Sequence, residues 1–306
     1  MKVLILGSGS FAGQAIFHHL LKKKISVFGI NRSKPKENFY WEWLNEFSQS
    51  DINWTTCNLY KNPSKMVALV KEIQPSHIID LMGQGMVAQS WENPRLWFQT
   101  NLAEKAYLLD EIRKLSSLKK YIRASTPEVY GSSRDFIVEN HPFNPSTPYA
   151  VSHAAIDQYI RCIGNNYDFP FIIGRFGNFY GPGQQLYRII PKAILCCLKK
   201  SKFILDGMGK SKRAFIFSSD FVGAIEKCLL SKEIFQEFNF NSNEEISIFE
   251  LVNLICIKNN ISFEQIVEIG PERAGKDMFY RLNCEKAKNI LDWSPKVSID
   301  QGIKQV

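Results

Sequence analysis

Lys2-Val3-Leu4-Ile5-Leu6-Gly7-Ser8-Gly9-Ser10-Phe11-Ala12-Gly13 decides the fold. Lys2 to Leu6 is a short apolar run of β character that stops at a cluster of small residues. Behind the cluster Ala12, Ile16, Leu20 and Leu21 recur at three- to four-residue spacing, the period of a helix with one buried face, until Lys22-Lys23-Lys24 ends it. Ile25 to Ile30 is a second apolar strand. Strand, glycine turn, helix and strand make one βαβ unit, whose crossover should be right-handed. Small residues in such a turn let the backbone approach a pyrophosphate, and the helix start supplies N–H donors and the positive end of a dipole. Turns use glycine for their own reasons. Its position at the first strand–helix junction is what points to a dinucleotide.

The alternation continues. Met66 to Ile73 reads as a helix, His77 to Leu81 as a strand, Leu96 to Leu115 as one long helix and Lys120 to Ala124 as a strand. Ala150 to Asn165 is another helix and Phe169 to Arg175 another strand. Strands interleaved with helices predict an α/β fold, a Rossmann-like doubly wound parallel sheet covered on both faces. After about residue 180 the strand–helix pairs shorten and Gly, Pro and isolated aromatics multiply. We therefore expect a dinucleotide-binding lobe over 1–180 and a smaller substrate lobe over 181–306, interleaved, with ligands at the carboxyl ends of the strands.

The 306 residues are 45% hydrophobic and 22% charged, which excludes collagen, coiled coil and wholesale disorder. No apolar run is long enough to span a bilayer, and Met1 to Gly7 lacks a signal-peptide pattern, so the expected location is the cytoplasm. Seven cysteines form no CxxC and no zinc-ligand spacing, so free thiols and no metal are expected. The net charge of +8 sits in short runs, Lys22-Lys23-Lys24 and Lys199-Lys200, which read as helix ends rather than a nucleic-acid surface.

At the end of the second strand stands Asn31-Arg32-Ser33. An acidic residue there would accept both adenosine ribose hydroxyls; an Arg and a Ser instead could hold a 2′-phosphate, which tilts the cofactor from NAD to NADP, although a solvent-exposed loop Arg is the plainer reading. Further on, Ser125-Thr126-Pro127-Glu128-Val129-Tyr130-Gly131 ends a strand and Tyr149-Ala150-Val151-Ser152-His153 opens a helix. A hydroxyl, a carboxylate and a phenol converge if both segments lie at the strand carboxyl ends.

This constellation resembles the extended short-chain dehydrogenase/reductases, the epimerase/dehydratase group acting on nucleotide-linked sugars. The likeness runs along almost the whole chain. Gly7, Ser10 and Gly13 occupy the places of its GxxGxxG, with Gly9 one residue early. Arg175-Phe176-Gly177-Asn178-Phe179-Tyr180-Gly181-Pro182-Gly183-Gln184, Gly207-Met208-Gly209 through Ile216, Pro271-Glu272-Arg273-Ala274-Gly275-Lys276-Asp277 and Leu291-Asp292-Trp293-Ser294-Pro295 resemble its later motifs in order. The resemblance implies a bound NAD(P) and a nucleoside-diphosphate sugar, a homodimer pairing through 96–115 and 150–165, and catalysis by Thr126, Glu128, Tyr149 and His153. To the cofactor it assigns Phe11, Asn58, Leu59, Leu81, Met82, Gly83 and Asn101 beside the glycine turn, Asn31, Arg32, Ser33, Tyr149 and His153. To the substrate it assigns Gln84, Ser90, Asn178, Arg213 and Arg273.

Glu128, two residues after the Thr, resembles the sugar 4,6-dehydratases, because elimination after oxidation at carbon 4 needs a carboxylate at carbon 5 whereas epimerisation does not. Two departures stand out. Pro127 occupies the place of the dehydratases' Asp acid, and His153 that of the lysine of YxxxK, which holds the nicotinamide ribose and lowers the phenol pKa. The implied function is a nucleotide-sugar 4,6-dehydratase; the alternatives are an epimerase and, with the lysine gone, a non-catalytic sensor of nucleotide sugars or dinucleotides.

Overall fold

The computed structural model describes residues 1–33, 46–48, 52–242, 244–271 and 281–306. Seven parallel strands form its central sheet: β1 (Lys2–Leu6), β2 (Ser26–Asn31), β3 (Asn53–Thr56), β4 (His77–Asp80), β5 (Lys120–Ser125), β6 (Phe171–Phe176) and β7 (Gln236–Phe240). Their spatial order is β7-β6-β5-β4-β1-β2-β3. The order reverses between β1 and β4, and such a reversal opens a crevice at the carboxyl ends. Successive apolar residues read as strands because both faces are covered: Val3 to Leu6 are all fully buried.

Two apolar layers clasp the sheet. On one face Ile16, Phe17 and Leu20 of the helix Phe11–Lys22 pack with Phe221, Ile225 and Cys228 of the helix Ser218–Leu230. On the other, Met66 and Val70 of Pro63–Ile73 pack with Leu108 and Ile112 of Glu104–Ile112 and Ile156 and Ile160 of Pro148–Tyr167. Chain beyond residue 180 therefore supplies the strand β7 and residues of the helices Ser218–Leu230 and Glu285–Leu291 to the main layers. It also builds a third core, from Ile190, Phe215, Leu251 and Ile255, under the small sheet Glu245–Ser247, Lys212–Phe217 and Asn178–Tyr180.

The expected long helix over 96–115 is broken in kind. Pro94–Phe98 and Glu104–Ile112 are α-helical, and Gln99–Ala103 between them is a π turn. A π turn inserts an extra residue per turn, which a 3.6-residue apolar period does not reveal. It turns Asn101 to the interior beside Gln84 and Ser152. Among the described residues no helix is long and apolar enough to cross a membrane, and no group of His, Cys, Asp or Glu could hold a metal ion.

Candidate active site

The turn after β1 is built by three contacts. Ser10 caps the helix, its Oγ accepting from the Gly13 amide at 3.0 Å and donating to the Gly7 carbonyl at 2.8 Å, which explains a serine where the motif has glycine. Gly7 has φ of +86°, so a side chain there is strained. A Cβ on Gly13 would lie 2.3 Å from the Gly7 carbonyl oxygen and 2.7 Å from the Ser8 Cα, both backbone. A Cβ on Gly9 would instead meet the Asn31 side chain, which can move. Gly13→Ala is accordingly expected to lose dinucleotide binding or folding, and Gly9→Ala to lose much less. Titration of dinucleotide affinity beside a thermal melt checks this, and equal behaviour of the two variants would contradict it.

Beside this turn opens a cleft of about 1300 Å³, more than one drug-sized ligand needs. Gly7, Gly9, Ser10 and Phe11 line it, as do Asn31, Arg32, Ser33, Asn58 and Leu59 at the ends of β2 and β3. The Asn31 side chain donates to the Ser33 carbonyl at 2.6 Å and shapes this rim. Leu81, Met82, Gly83 and Gln84 form the wall after β4.

Three assigned residues, Asn101, Ser90 and Gly13, are buried against other protein groups. Asn101 is buried: its Oδ1 accepts from the Gln84 amide at 2.7 Å, and its Nδ2 donates to the Gln84 carbonyl and to Ser152 Oγ, both at 3.1 Å. It braces the loop, and Thr100 reaches the cleft instead. Ser90 is fully buried and donates to the Val87 carbonyl at 2.6 Å, a bond inside its own helical turn. Gly13 packs against the backbone of Gly7 and Ser8. Arg273 lies outside the described residues.

Thr126, Glu128, Tyr149 and His153 line the same cleft as the glycine turn. Thr126 is the cap of the turn Pro127–Tyr130, and its hydroxyl accepts from the Glu128 amide at 3.3 Å. Pro127 fits there because the first residue of a helical turn needs no amide hydrogen. Tyr149 and His153 lie one turn apart on Pro148–Tyr167, capped by Thr147, with their rings 4.5 Å apart. Asn178 and Arg213 line the cleft from the small sheet.

Beneath lies a buried ionic cluster that sequence reasoning missed. Lys105 meets Asp80 at 2.6 Å, Arg123 meets Asp157 at 2.8 Å, and Arg175 meets Asp157 at 3.2 Å and Glu237 at 2.7 Å. Ser125 donates to Asp157 at 2.7 Å. One signal was readable: Arg123 sits in the middle of the apolar strand Lys120–Ser125, where a charge needs a buried partner.

His153 stands on this cluster. Burial, and after it the cations Arg123 and Lys105, push its pKa well below the ordinary 6.5, against a smaller pull from Asp80. At the other end of the sheet burial and Lys120 lower His77 to about 4. Both histidines take up protons near pH 6.5 once unfolded. The unfolded chain then binds more protons than the folded one, so the stability they contribute is complete above about pH 6.5 and falls as pH drops toward the folded values. Thermal midpoints should be lower at about pH 5 than at about pH 7.5, and His77→Gln should narrow the gap. A midpoint independent of pH over that range would contradict it.

The cradle that a Cβ would fill and a buried His153 Nε2 without a partner among the described residues fit a dinucleotide. Residues 4–306 match the family model described as GDP-mannose 4,6 dehydratase. The chain is 28% identical over 255 residues to dTDP-glucose 4,6-dehydratase of Xanthomonas campestris pv. campestris, covering 78% of this chain and 73% of that one. To the Haemophilus influenzae dTDP-glucose 4,6-dehydratase it is 27% identical over 335 residues, covering 100% and 96%. The dTDP-glucose 4,6-dehydratase of Bacillus anthracis, solved in complex with NAD, superposes with a TM-score of 0.88 at 24% identity, over 99% of this chain and 94% of that one. The UDP-glucose 4-epimerase of Thermus thermophilus, also with NAD, gives 0.89 at 24% identity over 100% and 97%. At that identity the two structures speak for the Rossmann-type fold. The family model runs nearly from end to end, and with it this chain belongs to the GDP-mannose 4,6 dehydratase family.

Proposed function

We propose that the protein is an NAD(P)-dependent nucleotide-sugar 4,6-dehydratase. The observation that carries this reading is that Thr126, Glu128 and Tyr149 line one cleft with the glycine turn. Related dehydratases at full-length coverage support it. Tyr149 takes the proton of the carbon-4 hydroxyl while Thr126 positions that hydroxyl. A nicotinamide held in this cleft would supply a hydride acceptor for carbon 4 and a hydride donor for carbon 6. Glu128 takes the carbon-5 proton as water is lost across carbons 5 and 6. Pro127 has no proton to give, so the leaving hydroxyl draws its proton from Glu128, from water or from another residue.

Incubation with GDP-, dTDP- and UDP-hexoses followed by mass spectrometry tests the reading. Loss of one water from one of them is expected. Unchanged mass with altered stereochemistry would assign an epimerase, and tight binding without conversion a sensor.

Arg32 carries a finer proposal, a preference for NADP. It lines the cleft at the end of β2 beside Asn31 and Ser33, with no carboxylate among these three. NADP is expected to bind more tightly than NAD, by on the order of tenfold, and Arg32→Ala to abolish the difference. A preference for NAD that Arg32→Ala leaves unchanged would make Arg32 a bystander.

We also propose a homodimer through the helices of 94–112 and Pro148–Tyr167, which expose Phe98, Tyr107 and Val151. Light scattering should give twice the chain mass. A division of labour between 1–180, for the cofactor, and 181–306, for the sugar nucleotide, completes the reading.

A further inference from the structure

His153 Nδ1 lies 3.0 Å from Arg123 Nη2. A guanidinium can only donate, so Nδ1 must be the bare, accepting nitrogen, and the ring proton sits on Nε2. That nitrogen is buried and has no partner among the described residues, while the residue as a whole lines the cleft. Arg123 is itself fixed, by Asp157 at 2.8 Å on the neighbouring helix and by Asp80 at 3.6 Å. Its charge is thus held directly behind the imidazole.

We propose that Arg123 is a positioning residue for the dinucleotide: it locks His153 as the Nε2–H donor toward the nicotinamide ribose and lends that donor, from behind, the positive charge that the lysine of YxxxK supplies directly. The proposal rests on the dinucleotide reading of the cleft. It turns the loss of the lysine into a change of wiring rather than a loss of the site. A donor polarised by a cation makes the stronger, charge-assisted class of hydrogen bond. The groups facing His153 are Arg123 on β5, Lys105 on Glu104–Ile112, Asp80 on β4 and, on its own helix, Tyr149. Burial and the two cations outweigh Asp80, so the ring stays neutral across the working range and the lock does not open with pH.

Two measurements test it. In the parent holoenzyme labelled with ¹⁵N-histidine, two-bond ¹H–¹⁵N correlation separates the tautomers of the five histidines, and His153→Phe assigns the signal. The proposal expects an Nε2–H ring that does not titrate between about pH 5.5 and 9. An Nδ1–H ring, or one titrating near pH 6.5, overturns it. This needs no variant of Arg123, whose removal could unfold the chain by stranding Asp157.

The second measurement is the NAD and NADP dissociation constants of a double-mutant cycle. Arg123→Lys should weaken the tighter dinucleotide by on the order of tenfold in the parent and by less than about twofold in His153→Phe, because the effect passes through the ring. Equal losses in both backgrounds would make Arg123 merely structural and overturn the proposal. A parent chain that binds neither dinucleotide overturns the reading of the cleft, and this proposal with it. Binding with a titrating His153 overturns this proposal alone.

Discussion

Glu128→Gln is expected to keep oxidation at carbon 4 while exchange of the carbon-5 proton with solvent deuterium falls by roughly 10² or more, the scale of a lost general base. Two proton transfers are served by different residues in the proposed reaction. In that proposed reaction Tyr149 and Thr126 act on the hydroxyl of carbon 4, and neither is altered by the substitution. Glu128 is reached through a short helical turn that starts at Thr126, whose hydroxyl accepts from the Glu128 amide at 3.3 Å. Glutamine has the same shape and leaves that bond in place, so the fold of the turn is preserved. What disappears is an oxygen able to take a proton. Nicotinamide absorbance follows the first step and mass spectrometry of the deuterated sugar the second. Exchange at the parental rate would remove Glu128 from the elimination and move the protein toward the epimerase reading.

The parts of the molecule legible from residue order are those in which one local pattern serves one role. Val3 to Leu6 reads as a buried strand because both faces are covered. The Ser10-capped turn reads as a phosphate cradle because backbone approach needs small residues at that spacing. Thr126, Glu128 and Tyr149 reach the cleft because each follows directly on a strand end or opens a helix there. Asn101 and Ser90 are both turned inward, Ser90 onto the Val87 carbonyl of its own helical turn. Asn101 lies within the π turn Gln99–Ala103, which the α-helical period does not reveal, and its inward side chain braces the wall after β4. Arg123 in an apolar strand signals a buried partner, but which partner was illegible because the cluster's members are far apart in sequence: Lys105 and Asp80 are 25 residues apart, Arg123 and Asp157 are 34 apart. Only their convergence under the sheet's carboxyl ends makes them one object.

That cluster reverses what His153→Lys should do. From residue types alone the substitution restores the family's cation and should lower the apparent pKa of Tyr149, and protonated His153 should supply a weaker version of the same charge below about pH 6.5. The structure removes the second route, because burial and the neighbouring cations keep the ring neutral well below that pH. It also makes the first route costly. An ammonium at position 153 would lie beside the guanidinium that now donates to Nδ1 at 3.0 Å, and the buried carboxylates Asp80 and Asp157 are already taken by Lys105, Arg123 and Arg175. An uncompensated buried charge costs about 3–5 kcal/mol when it stays charged, and otherwise the lysine gives up its proton. His153→Lys is therefore expected to lower the thermal midpoint by several degrees and to leave nicotinamide reduction no faster at neutral pH. Combining it with Arg123→Gln removes one cation for the one added, and this pair should recover most of the lost stability and bring the pH profile of reduction toward lower pH. The measurements are melts and pH profiles of the parent, the single and the double variant. A single His153→Lys protein as stable as the parent and more active at pH 7 would show that Arg123 does not share the charge of this site.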